Sequence, residues 1–205
     1  MVKVKICGIT NLNDAKAAVD FGADALGFVF FKNSPRYISP TDASSIIKNL
    51  PLFIAAVGVL VNESSADAER IVSETGIDII QLHGDEPPEM CCFSRRMIKA
   101  IRVKSLESLA PLEAYRKTVS AFLLDTYTPD TLGGTGRIFN WDVALEAKQF
   151  GRVILAGGLT PENVSDAVRH VNPYAVDVSS GVERGKGKKD YEKMRLFIER
   201  AKSAL

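Results

Sequence analysis

Short apolar runs recur along this chain at intervals of roughly 25 residues, each followed by a helical pattern, and that alternation narrows the possible folds more than any other feature. About eight such units can be drawn. The predicted strands run over 2–6, 25–30, 54–61, 78–82, 98–103, 121–124, 152–155 and 174–178, with helical segments between them. Parallel strands need a crossover between them, and eight strand-helix units in series predict a closed α/β architecture, the (β/α)8 TIM barrel. At 205 residues the chain is shorter than the roughly 250 usual for that fold, so the expectation is a compact single domain over 1–205 with short loops. The rival is a doubly wound open sheet. It calls for a glycine-rich dinucleotide fingerprint after the first strand, whereas Gly8-Ile9-Thr10-Asn11-Leu12 offers one glycine.

Local signals punctuate the units. Gly22 and Gly76 read as helix stops, each followed two residues later by an aspartate that opens the next strand, Asp24 and Asp78. Thr160-Pro161-Glu162-Asn163 reads as a helix start, with Thr160 as N-cap and Pro161 at the first helical position. The basic stretch Arg184-Gly185-Lys186-Gly187-Lys188-Lys189 reads as a solvated loop.

Composition excludes several classes of function. A formal net charge of +1 gives no electrostatic case for nucleic acid or a membrane surface. Lys3 and Lys5 interrupt the N-terminal run, so it lacks the apolar core of a signal peptide, and no stretch reaches the roughly 18 apolar residues of a membrane span. Cytoplasmic residence is the expectation. The three cysteines, Cys7 apart from the adjacent Cys91 and Cys92, fit neither a disulfide framework nor a zinc spacing, so no metal is expected, and Cys91-Cys92 reads as helix packing.

Strand parity sorts the side chains. Val2, Val4 and Ile6 share the face that packs under helices, which turns Lys5 and Cys7 into the barrel. The same alternation turns Gln81 and His83, Leu123 and Asp125, and Asp177 and Ser179 inward. Cys7, His83, Asp125 and Ser179 then ring the C-terminal rim where barrels carry their active sites, with Lys5, Gln81 and Asp177 a layer deeper. Buried charges need partners, and Lys5 with Asp177 is the expected pair. Taken alone, a free cysteine such as Cys7 is more often core filler than catalyst, and only this company argues otherwise. Gly157-Gly158 after strand seven and Ser179-Ser180-Gly181 after strand eight occupy the serial positions at which barrels bind phosphate. Gly133-Gly134-Thr135-Gly136 reads as a flap over the substrate or a permissive loop.

Lys5-Ile6-Cys7-Gly8-Ile9-Thr10, Ser34-Pro35-Arg36-Tyr37, Gln81-Leu82-His83-Gly84, Leu124-Asp125, Gly133-Gly134-Thr135-Gly136, Leu155-Ala156-Gly157-Gly158-Leu159 and Asp177-Val178-Ser179-Ser180-Gly181-Val182-Glu183 form an ordered series. It resembles that of phosphoribosylanthranilate isomerase, a barrel enzyme of tryptophan biosynthesis. The series departs at Lys186-Gly187, where the family commonly carries Pro-Gly. The resemblance implies an acid-base Amadori rearrangement of N-(5-phosphoribosyl)anthranilate, with Asp125 as acid and Cys7 as base. It implies no cofactor, a phosphorylated small-molecule substrate and a monomer or homodimer. By the same analogy Arg36 pairs with the anthranilate carboxylate, Gly134, Gly157, Gly158, Ser179, Ser180 and Gly181 hold substrate, and Asp177 is orienting or structural. His83 either contacts substrate or proton traffic or is a structural imidazole. Lys5 is the expected source of any acidification of Cys7. A different sugar-phosphate isomerase, or a barrel that binds a phosphorylated metabolite without turnover, is the alternative.

Overall fold

Eight parallel strands close on themselves in chain order: β1 (Lys3–Cys7), β2 (Ala25–Val29), β3 (Ala55–Leu60), β4 (Ile79–Leu82), β5 (Arg96–Val103), β6 (Ala121–Thr126), β7 (Val153–Leu155) and β8 (Ala175–Val178), with β8 pairing to β1. The structure is a computed structural model and describes residues 1–91, 93–126 and 140–205. Around the barrel run α1 (Leu12–Asp20), α2 (Pro40–Ile47), α3 (Ser65–Thr75), α4 (Leu112–Tyr115), α5 (Asp142–Ala147), α6 (Val164–Val171) and α7 (Tyr191–Lys202). A small antiparallel ribbon of β9 (Glu183–Gly185) and β10 (Lys188–Lys189) follows β8. Strand β6 runs on to Asp125 and Thr126, two residues beyond its predicted end, which carries Asp125 to the rim on rigid backbone.

The alternation separates two apolar cores. Val2, Val4 and Ile6 pack with Leu26, Phe28, Val176 and the inner faces of the helices, while Val57, Ile98, Ala100, Leu123, Ile154 and Ala175 fill the barrel. Helix starts are conventional where a short polar side chain precedes the first turn. Asn11, Ser39, Ser64 and Asp190 each accept a backbone N–H at the start of α1, α2, α3 and α7, which satisfies a donor that the helix cannot. The two glycine-aspartate signals prove equivalent in space: Asp24 accepts the N–H of Val4 at 2.9 Å, and Asp78 that of Ala56 at 2.8 Å. Each aspartate therefore caps the lower end of the strand before its own.

Two local expectations need amending, each for an identifiable reason. Between β4 and β5 the described residues hold a single 3-10 turn, Pro88–Met90, in place of a helix. Pro87 and Pro88 donate no N–H and push the residues before them into extended backbone. Glu86 secures this segment instead. Its carboxylate takes the Lys99 ammonium at 2.7 Å and the N–H groups of Asn62 and Gly84, and its carbonyl accepts from Tyr115 Oη at 2.7 Å. Cys91 is accordingly buried after a 3-10 turn, not on a helix, and Cys92 lies outside the described residues. The second concerns α6, whose regular turns start only at Val164 although Thr160 does cap the turn before it, its Oγ1 accepting the Glu162 N–H at 3.2 Å and its carbonyl the Val164 N–H at 3.1 Å. Asn163 accepts the N–H of Thr160 at 2.8 Å and donates to Gly158 O at 2.9 Å, so 160–163 form a turn that holds the Gly157-Gly158 loop.

Candidate active site

The C-terminal mouth of the barrel opens into a cleft lined by Cys7, Arg36, Gln81, His83, Asp125, Gly157, Gly158, Asp177, Ser179, Ser180 and Gly181, with Val29, Phe31 and Val59 as an apolar wall. The structure thus brings together ten of the sequence-selected binding and catalytic residues, Cys7, Arg36, His83, Asp125, Gly157, Gly158, Asp177, Ser179, Ser180 and Gly181. Gly134 and its neighbours lie outside the described residues.

Beneath the rim sits a buried polar layer. The Lys5 ammonium donates to Asp177 Oδ1 at 2.8 Å and to Gln81 Oε1 at 2.9 Å, so the pair expected from parity forms, and Gln81 completes it. The three strands that supply these groups are fixed by register, Lys5 lying opposite Asp177 across β1 and β8. Burial among apolar walls is tolerable only because each charge has a partner at contact distance. Cys7 lies one step above. Its room comes from Gly27, its register partner on β2, where a Cβ would stand 2.7 Å from Cys7 Sγ and 3.1 Å from Lys5 Cε. A glycine inside a strand commonly marks such a close approach, so Gly27 is the letter in the sequence that signals it.

The electrostatics of Cys7 run against the expectation that Lys5 acidifies it. Burial pushes the thiol above its ordinary 9.0, and Asp177 pushes the same way, while Lys5 and Lys189 pull it down without reversing the outcome. Lys5 spends most of its charge on Asp177. The free protein therefore carries Cys7 as a thiol, and its alkylation rate, followed by mass spectrometry of the Cys7 peptide, is expected to rise with pH to a midpoint above 9.0. A midpoint at or below neutrality would contradict this electrostatic balance.

Across the mouth, Asp125 is buried, with Oδ1 accepting the N–H of Thr126 at 2.9 Å and Oδ2 at 3.4 Å from His83 Nε2. Gly157, at a left-handed φ of 74°, packs directly on this carboxyl, since a Cβ there would meet Thr126 N at 2.3 Å and Asp125 Oδ1 at 2.8 Å. The same backbone that opens the Gly157-Gly158 loop toward the cleft thus also seats the Asp125 carboxyl. Ser179 Oγ is buried with no hydrogen-bond partner among the described residues, at the foot of the opposite loop. A buried hydroxyl left in this way, beside glycine-rich backbone, suits an anion that accepts hydrogen bonds.

Arg36 is held in a way the sequence did not disclose. Its Nε and Nη2 both donate to Glu183 at 2.8 Å, a side-on bidentate pair, which leaves the Nη1 and Nη2 end of the fork for a carboxylate in the cleft. Glu183 also takes the Lys189 ammonium at 3.1 Å, and Lys189 donates to the carbonyls of Cys7 at 2.6 Å and Ser179 at 3.2 Å. Lys189 is 1% exposed, so the basic stretch 184–189 is not wholly a solvated loop. The β9-β10 ribbon folds it inward, and Thr10 Oγ1 donating to Gly187 O at 3.0 Å pins the tip.

A family model described as N-(5'phosphoribosyl)anthranilate (PRA) isomerase matches residues 4–200. The chain belongs to this isomerase family. An N-(5'-phosphoribosyl)anthranilate isomerase of Geobacter metallireducens is 57% identical over 204 residues, 99% of this chain and 100% of the relative. The crystal structure of phosphoribosyl anthranilate isomerase from Thermotoga maritima superposes with a TM-score of 0.93 at 46% identity, covering 98% of this chain and 99% of that one. A second solved isomerase, in complex with reduced 1-(o-carboxyphenylamino)-1-deoxyribulose 5-phosphate, superposes at 0.89 with 43% identity over 98% and 99% of the two chains.

Within this phosphoribosylanthranilate isomerase barrel, the Arg36-Glu183-Lys189 group also sets an acid limit. Burial opposes ionisation of Glu183, but the Arg36 fork and the Lys189 charge outweigh it and hold the carboxyl below its ordinary 4.5. A depressed carboxylate contributes stability that is fully present above the unfolded value and is lost as pH falls through the folded one. Urea unfolding between about pH 5 and pH 3 is therefore expected to show a falling stability whose slope is shallower in Glu183→Gln; equal slopes would remove Glu183 from the account.

Proposed function

We propose that Cys7 and Asp125 carry the reaction of this family as base and acid. The chain is an intramolecular aldose-ketose isomerase of tryptophan biosynthesis, converting N-(5'-phosphoribosyl)anthranilate to 1-(o-carboxyphenylamino)-1-deoxyribulose 5-phosphate. One observation supports the residue assignment above others: the cleft that holds a buried thiol and a buried carboxyl is bounded by Arg36 and by the two loops suited to phosphate. In the first step Asp125 gives its proton to the furanose ring oxygen, the C1–O bond breaks, and the nitrogen lone pair forms the iminium. Cys7 then takes the C2′ proton as a thiolate, and the C–H electron pair passes toward the iminium nitrogen to give the enolamine. Tautomerisation of the enolamine to the ketone completes the isomerisation. The electron sink is the protonated imine of the substrate itself, so the assignment includes no metal and no cofactor.

The high thiol value of the free protein makes substrate part of the base's activation. Ring opening creates a positive iminium next to Cys7, and an opposite charge within a few ångströms favours the thiolate. The Nη end of Arg36 takes the anthranilate carboxylate, while backbone N–H groups at Gly157, Gly158, Ser180 and Gly181, with Ser179 Oγ, take the phosphate. Asp177, tied to Lys5, orients the base layer. Loss of substrate fluorescence on mixing with the protein tests the activity, and binding without turnover would instead favour a phosphometabolite-binding barrel. The protein is assigned to the cytoplasm as a monomer or homodimer.

A further inference from the structure

An amide beside an imidazole leaves the direction of their hydrogen bond open until a third group fixes the amide, and here the third group is Lys5. An ammonium has donors and no acceptor, and Lys5 Nζ lies 2.9 Å from the Gln81 side chain, so that atom must be the amide oxygen. The Gln81 NH2 is then the group 2.9 Å from His83 Nδ1. An NH2 facing a ring nitrogen at that distance requires a lone pair on Nδ1, which places the imidazole proton on Nε2. That Nε2 is buried, has no hydrogen-bond partner of good geometry among the described residues, and stands 3.4 Å from Asp125 Oδ2. The second oxygen of Asp125 is already occupied by the N–H of Thr126. Oδ2 is therefore the oxygen left facing the His83 ring.

We propose that Gln81 is a positioning residue that fixes His83 as a neutral Nε2–H donor aimed at Asp125 Oδ2, so that His83 steadies the carboxylate as Asp125 releases its proton. This rests on Asp125 as the acid of the proposed function. In the free protein the ring nitrogen and Oδ2 stand 3.4 Å apart, beyond a good hydrogen bond, so the donor is aimed but not yet engaged. Once the proton has moved to the ring oxygen, negative charge appears on Oδ2 in front of a preorganised N–H, which is where such a donor has most effect on the barrier. The same arrangement removes His83 as a base or proton relay, because its lone pair faces Gln81 and not the cleft. Lys5 thus acts twice in the site, beneath Cys7 and, through Gln81, behind His83.

Nitrogen NMR of the free protein labelled in its two histidines tests the tautomer without reference to turnover. His83, assigned by the signal lost in His83→Gln, is expected to show a protonated Nε2 and an unprotonated Nδ1 at neutral pH. In Gln81→Glu, whose carboxylate only accepts, the proton should move to Nδ1, and in Gln81→Met the two tautomers should mix. A wild-type His83 with Nδ1–H, or a doubly protonated ring, overturns the proposal. Turnover supplies the second arm. His83→Leu should lower kcat by about 10²-fold with little change in KM, and His83→Gln, whose amide N–H reaches the Nε2 position, should recover at least a tenth of the wild-type rate. Equal losses in Leu and Gln variants would show that the imidazole does more than donate and would sink the proposal. A wild type that never turns over would instead fail the acid-base reading while leaving the tautomer to be judged by its spectrum.

Discussion

Asp125→Asn is expected to lower kcat by roughly 10³-fold while KM and thermal stability change little, because the substitution removes a proton and almost no volume. The amide oxygen can keep the Thr126 N–H that Oδ1 now accepts at 2.9 Å, and the amide nitrogen fills the place of Oδ2. What it cannot do is deliver a proton to the ring oxygen and become an anion. Cys7→Ser should fall by a similar factor for the complementary reason: a serine hydroxyl is too weak an acid for its anion to form beside Lys5, even when an iminium lies opposite. Both variants should still bind product, since neither belongs to the Arg36 end or the phosphate loops. Retention of wild-type kcat in Asp125→Asn would move the acid elsewhere in the cleft. An Asp177→Asn variant, by contrast, is expected to lose stability as well as rate, because the amide can accept from the Lys5 ammonium but no longer balances its buried charge.

The order of strands and the rim itself were legible because both follow from periodicity. A strand's alternation decides which side chains point inward, so Lys5, Cys7, Gln81, His83, Asp125, Asp177 and Ser179 could be placed before any coordinate, and the Lys5-Asp177 pair followed from the expense of leaving either charge alone. The segments that escaped prediction are those without a period. Pro87-Pro88 replaces a helix by a 3-10 turn, and Asn163, bonding back to Gly158, makes the residues after Thr160 a turn before α6 becomes regular. Such outcomes depend on tertiary partners that lie elsewhere in the chain. The ribbon after β8 is the clearest case. Lys188 and Lys189 are adjacent and chemically identical, yet one is exposed and the other buried against Glu183, and only the β9-β10 pairing decides which. Gly27, Glu183 and Lys189 were in view as letters, and their roles required knowing what stood opposite.

Lys189→Met is expected to destabilise the protein by about 3–5 kcal/mol, the range for breaking a buried pair by removing one partner. Methionine fills nearly the same space, so lost packing contributes little. The loss comes from what remains: carbonyls of Cys7 and Ser179 deprived of a donor, and a buried Glu183 balanced by Arg36 alone. Burial already draws the Lys189 ammonium below its ordinary 10.5, which shows how closely desolvation competes with the attraction of Glu183, and explains why the pair cannot be trimmed from one side only. In a chain of this size the midpoint of thermal unfolding should fall by roughly 10 °C. Glu183→Gln, Lys189→Met and the double variant then form a cycle that measures the coupling of the pair, with Arg36 as the third member. Function should register the change separately. Lys189 ties the C-terminal ends of β1 and β8 together through those two carbonyls, and through Glu183 it fixes the angle at which Arg36 meets the cleft. A looser Arg36 should raise KM for the carboxylate-bearing substrate more than it lowers kcat. A destabilisation below about 1 kcal/mol, with KM unchanged, would mean that the buried ammonium merely fills space between the ribbon and the barrel.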